Sequence, residues 1–76
     1  MNKARRAKLN AIINALNDLR SDIEEVHDEE EEVMENMPES LQESERYERM
    51  EEAVDNMDDA ISMIEDAVES LECAME

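Results

Sequence analysis

One histidine, one cysteine and 24 carboxylates are the side chains of this sequence best equipped for chemistry. His27 follows Glu24 at the E-x-x-H spacing, which sets a carboxylate and an imidazole on one helix face, as in di-iron four-helix bundles. Such a centre needs a second E-x-x-H and ligands directed into a core. The chain has no second histidine, and the pattern described below assigns Glu24 and His27 to positions outside the apolar seam. The pair is expected on a solvated helical face, with no metal and no cofactor. His27 also lacks the neighbouring nucleophile or buried carboxylate that base catalysis needs. Cys73 stands among Glu69, Glu72 and Glu76, which disfavour a thiolate, and is expected to be exposed and inert. No catalytic residue is expected, and the chain does not read as an enzyme.

The elements that must carry these groups are helices. With 76 residues, no Gly, one Pro, no Trp or Phe and 41% charged residues, the composition is that of a long-helix or coiled-coil protein. The core must come from Leu, Ile, Val, Met and Ala, and it must be thin. Seven methionines are read mainly as flexible core filler. Apolar residues in the first half fall at Leu9, Ile12, Leu16, Leu19, Ile23, Val26 and Val33, spaced alternately by three and four with one miss at Glu30. The second half repeats the pattern at Tyr47, Met50, Val54, Met57, Ile61, Ile64, Val68, Leu71 and Met75. Each is a heptad seam along one helix face. Ala53, Ala60, Ala67 and Ala74 form a further line of small residues beside the second seam.

Between the seams lies Asn36-Met37-Pro38-Glu39-Ser40-Leu41-Gln42-Glu43-Ser44. Pro38 disfavours helical geometry at Met37, so the first helix should stop near Glu35. Ser40 with Glu43 spells a capping box, and Ser44 is a second candidate N-cap for a helix starting near Glu45. The expected fold is all-α: an antiparallel two-helix coiled-coil hairpin with helices of about residues 3–35 and 45–75, able to dimerise into a four-helix bundle. Pairing Leu9 with Leu71, Leu16 with Ile64 and Val26 with Val54 gives facing residue numbers that sum to 80. Helices of about 30 residues predict a rod of roughly 45 Å. The register places Glu30 opposite Met50, reaching outward or towards Arg46 or Arg49.

The net charge of −17 is unevenly placed. Lys3, Arg5, Arg6 and Lys8 lie in the first eight residues, and antiparallel pairing sets them beside Glu69, Glu72 and Glu76. From Asp22 to Asp59 there are 18 acids against Arg46 and Arg49, a net of −16. Folded about Ser40, that stretch carries about one negative charge per 1.6 Å of rod, near the one per roughly 1.7 Å of duplex DNA. Solubility needs far less. The expected partner is a basic nucleic-acid-binding protein, and the expected contact surface is Glu29, Glu31, Glu32, Glu35, Glu48, Glu51, Glu52, Asp55, Asp58 and Asp59. Direct nucleic-acid binding is excluded by the charge.

No apolar run is long enough for a bilayer. The basic start would suit a signal peptide, but Asn10, Asn14, Asn17 and Asp18 interrupt the stretch that should follow. A lone cysteine fits a reducing compartment, so a cytoplasmic location is expected. The segment from Pro38 to Glu48, followed by the alternation through Ala53, Ala60 and Ala67, resembles short acidic helical proteins encoded by bacteria and their phages. In size and charge the chain is also similar to phage DNA mimics, including anti-restriction and anti-CRISPR proteins. That resemblance implies an inhibitor that blocks a bacterial defence protein by presenting a DNA-like surface. The alternative is a structural coiled-coil oligomerisation or adaptor module in which acidity serves solubility, with the alanine line as its contact.

Overall fold

In the computed structural model, which describes every residue from Met1 to Glu76, two helices lie antiparallel as a hairpin. The first, α1, is Lys3–Glu35 and the second, α2, is Glu45–Ala74, with one 3-10 turn at Glu39–Leu41 between them. The Asn2 side chain caps α1 by accepting from the Arg5 N–H at 2.8 Å. Pro38 takes an extended conformation and ends the helical path after Asn36. Of the two candidate caps for α2, Ser44 is the one used. Its hydroxyl accepts from the Tyr47 N–H at 3.2 Å and donates to the Leu41 carbonyl at 2.6 Å. Ser40 instead lies inside the 3-10 turn.

The hairpin is held by a narrow apolar seam whose most buried members are Ile13, Met34, Met50, Val54 and Val68. On α2 this is the expected stripe. On α1 it is not: Ile13 is 7% exposed, whereas Ile12, Leu19, Val26 and Val33 are 48–55% exposed. The α1 face turned to α2 runs through Leu9, Ile13, Leu16, Arg20, Ile23, His27, Glu30 and Met34, all buried or half-buried. The helix is therefore rotated about its axis, so that every second seam position falls one residue later than the heptad count places it.

It is also displaced along its axis. Met34 packs with Met50 and Val54, Met37 and Tyr47 close the same cluster, and His27 reaches Asp58. These contacts set the sum of facing residue numbers at about 84, one helical turn away from 80. The first turns of α1 thus project past the end of α2, and residues 1–8 are all exposed. The rod is 59 Å long by 15 × 12 Å, longer than the expected 45 Å because the 33-residue α1 alone spans about 50 Å and the turn extends beyond it. Met50 meets Met34, not Glu30. Glu30 is half-buried and forms no ion pair, while Arg49 bonds Glu45 at 2.6 Å.

The shift has a physical basis. Ile12 and Ile13, like Val33 and Met34, give α1 a choice of apolar contact near each end, although the later line carries Arg20 and His27 where the earlier one has Leu19 and Val26. The later stripe lets the long Met34 fill the space beside Met50 and Val54, and it brings His27 against carboxylates. Arg20 contributes its aliphatic stem to the seam while its guanidinium turns to Glu24 at 3.8 Å.

Ile13→Ala is expected to destabilise the hairpin by about 2–4 kcal/mol, and Ile12→Ala by under about 1 kcal/mol, because one empties a packed site and the other trims an open one. Urea denaturation of the two variants measures the difference. Equal losses would restore the register at 80.

Candidate functional site

Helical spacing from the observed contacts divides the hairpin lengthwise into two unlike sides. One is marked by His27 on Asp58. On this side α1 presents Glu24, Asp28, Glu31 and Glu35, and α2 presents Glu48, Glu51, Asp55, Asp58, Glu65, Glu69 and Glu72. The steps are of three and four residues, about 5 Å between successive charges, except across Ser62, where Asp58 and Glu65 are seven residues apart. Arg20, turned to Glu24, is the only arginine or lysine among them.

The opposite side is marked by a shallow groove lined by Leu19, Asp22, Ile23, Val26, Asn56, Met57, Ala60 and Ile64. Here α2 offers Arg46, Arg49, Ala53, Asn56, Ala60, Met63, Ala67 and Ser70, without one acid. The acids of α2 are thus confined to its other side and its outer edge.

Of the ten residues expected to form a contact surface, Glu31, Glu35, Glu48, Glu51, Asp55 and Asp58 share the acidic side, and Glu52 and Asp59 border it on the outer edge of α2. Glu32 lies on the outer edge of α1, and Glu29 on its groove flank. All except the half-buried Glu31 are exposed. The acidic side also includes Glu24, Asp28, Glu65, Glu69 and Glu72, none of which is among the ten.

His27 occupies the seam, with 12% of its side chain exposed, in place of the solvated face expected for it. Its Nδ1 is 3.0 Å from Asp28 Oδ1 and 3.6 Å from Glu31 Oε2. Its Nε2 is closed off from solvent and lies 2.8 Å from Asp58 Oδ1 without hydrogen-bond alignment, a contact of charge more than of direction. The hydrogen bond with Asp28 raises the imidazole pKa above its usual 6.5, the charges of Asp58 and Glu31 add to the effect, and partial desolvation opposes it. His27 as imidazolium is therefore a cationic bridge between acid-rich helices. Glu24 turns to Arg20 and takes no part. Donor atoms of His27, Asp28 and Glu31 fall within 4.8 Å of one another, a closeness that an imidazolium among carboxylates explains without an ion.

The α1 charges are placed against the helix itself. No acid lies in its first turn and no base in its last; instead Lys3, Arg5 and Arg6 open it and Glu31, Glu32 and Glu35 close it. Each such charge opposes the macrodipole at a cost of about 0.3–1 kcal/mol. Lys3, Arg5, Arg6 and Lys8 make no ion pair. The basic start, expected beside Glu69, Glu72 and Glu76, makes no ion pair with them, because its first turns project past α2.

Cys73 is exposed, as expected. No helix is long and apolar enough to cross a membrane. No protein-family model, curated protein or solved structure matches the chain.

Because the His27 pKa is raised on folding, its stabilising contribution is complete below about pH 6.5 and is lost as pH rises through the folded value. The urea midpoint is expected to fall between pH 6 and 8. His27→Gln should be less stable at pH 6 and flat across that window. A midpoint in the unsubstituted chain that holds steady or rises would contradict the bridge.

Proposed function

We propose that this chain is a binding protein, not an enzyme, whose acidic side occupies the nucleic-acid groove of a basic DNA- or RNA-binding protein. The reading extends to an inhibitor of a bacterial defence protein, such as a CRISPR effector or restriction enzyme, acting in the cytoplasm of the host cell. The observation that carries it is the collection of carboxylates from both helices along one side with almost no basic residue among them. Self-repulsion of this order opposes the compact state, and the α1 charges also oppose the helix dipole. A gain from stability does not account for them. Attraction of a cationic groove does, since a dense row of one sign steers a partner at long range.

A second reading, a structural oligomerisation or adaptor module with acidity serving solubility, draws on the apolar groove. The two part company over charge.

Glu48→Lys, Glu51→Lys and Asp55→Lys together reduce the net charge from −17 to −11, which relieves repulsion and keeps the hairpin folded. Capture of a protein from bacterial lysate on the immobilised chain should be reversed by duplex DNA and abolished by the triple variant. Its affinity should fall on the order of ten- to a hundredfold between 50 and 200 mM salt. Capture indifferent to DNA, salt and charge reversal would select the adaptor reading.

A further inference from the structure

The groove side has one occupant that the surface itself specifies. We infer that it is an interface for a second copy of this chain, turned end for end, which completes an antiparallel four-helix bundle.

The first ground is the width of the apolar stripe on α1. A helix that touches one neighbour needs one seam, and α1 already meets α2 through Leu9, Ile13, Leu16, Ile23 and Met34. Ile12, Leu19, Val26 and Val33 form another line, spaced by seven and about half exposed. Apolar residues at these additional heptad positions are what a bundle helix carries to meet a second neighbour.

The second ground is area. A compact monomer of 8.8 kDa exposes about 4,800 Å² by mass scaling, against 5740 Å² here, an excess of roughly 900 Å² that is close to the ~800 Å² each partner gives to a standard interface. One hairpin leaves exposed about what one such interface would cover.

The third ground is self-complementarity, which a two-fold interface requires. The large-residue line Ile12–Val33 is centred between Asp22 and Ile23, and Ala60, within the small-residue line Ala53–Ala74, lies within half a helical turn of that level. Asp22, Ile23 and Ala60 line the same groove, so one axis crossing it passes the centre of the large-residue line and runs close to Ala60. Turning a copy about that axis sets Ile12 against the partner subunit's Val33 and Leu19 against the partner subunit's Val26. Ala60 then meets the partner subunit's Ala60, where small side chains let the two α2 helices approach closely.

Charge selects this orientation over the one with both turns together. Lys3, Arg5, Arg6 and Lys8 have no ion pair within the hairpin. In the end-for-end dimer they lie over the partner's turn, which carries Glu35, Glu39, Glu43 and Glu45. With the turns side by side, those acids would instead face one another. The acidic sides remain outward in the dimer, so this interface is independent of the proposed function.

Sedimentation equilibrium at about 100 µM should return twice the chain mass, and Leu19→Glu should weaken the dimer on the order of a hundredfold while the helices persist. In a Cys73→Ser background, Ala60→Cys should cross-link into dimers under mild oxidation, whereas Glu52→Cys, on the outer edge, should not. A wild-type monomer, a dimer that Leu19→Glu leaves intact, or a dimer in which the Ala60→Cys variant fails to cross-link overturns the proposal. If Leu19→Glu unfolds, the cross-link decides. A groove that binds a cationic helix of another protein, with no self-association, also overturns it.

Discussion

The seam between α1 and α2 is the one extensive apolar contact the chain makes with itself, and every other property follows from how little it buries. No side chain is fully enclosed. Two helices with one shared stripe cannot surround a residue as a globular core does, so each buried methyl group has solvent within a side-chain length. A seam this thin cannot oppose much electrostatic strain. The strain is reduced at one point by placing the single histidine among Asp28, Glu31 and Asp58. His27 thus joins packing to electrostatics: it fills a seam position, and the carboxylates around it favour its protonated form.

The same seam divides the surface. Because α2 has its acids on one flank and outer edge and small or neutral residues on the other, the direction in which α1 packs decides whether the α1 acids join them. The observed rotation turns Asp28 onto the acidic flank beside Glu24 and Glu31 and leaves Leu19 and Val26 on the groove flank. An acidic side and an apolar side are therefore two results of one packing choice. The proposed cationic partner and the proposed second hairpin would thus occupy different sides.

Much of this is legible in the residues. The three-four spacing, the absence of glycine and the isolated Pro38 determine two long helices and a short connection, since helical periodicity and proline sterics act locally. The α2 stripe is legible for the same reason: its neighbours on either flank are acids or alanines, and one face is distinctly the most apolar. The charge imbalance, from the basic start to the acidic turn, is also a property of composition along the chain.

Only the tertiary structure decides how α1 is rotated and how far it slides. A heptad count favours the line through Ile12, Leu19, Val26 and Val33, because the line one residue later carries Arg20 and His27, and a local pattern gives no credit for what those two polar residues meet on α2. The observed choice comes from α2: the fit of Met34 against Met50 and Val54, and the charge of Asp58 opposite His27. Those are contacts between residues distant in sequence, and they turn an expected solvated histidine into a bridge and an expected core line into an exposed one. The sequence by itself determines two helices and their charge. The meeting of the helices determines which charges and which apolar groups share a side.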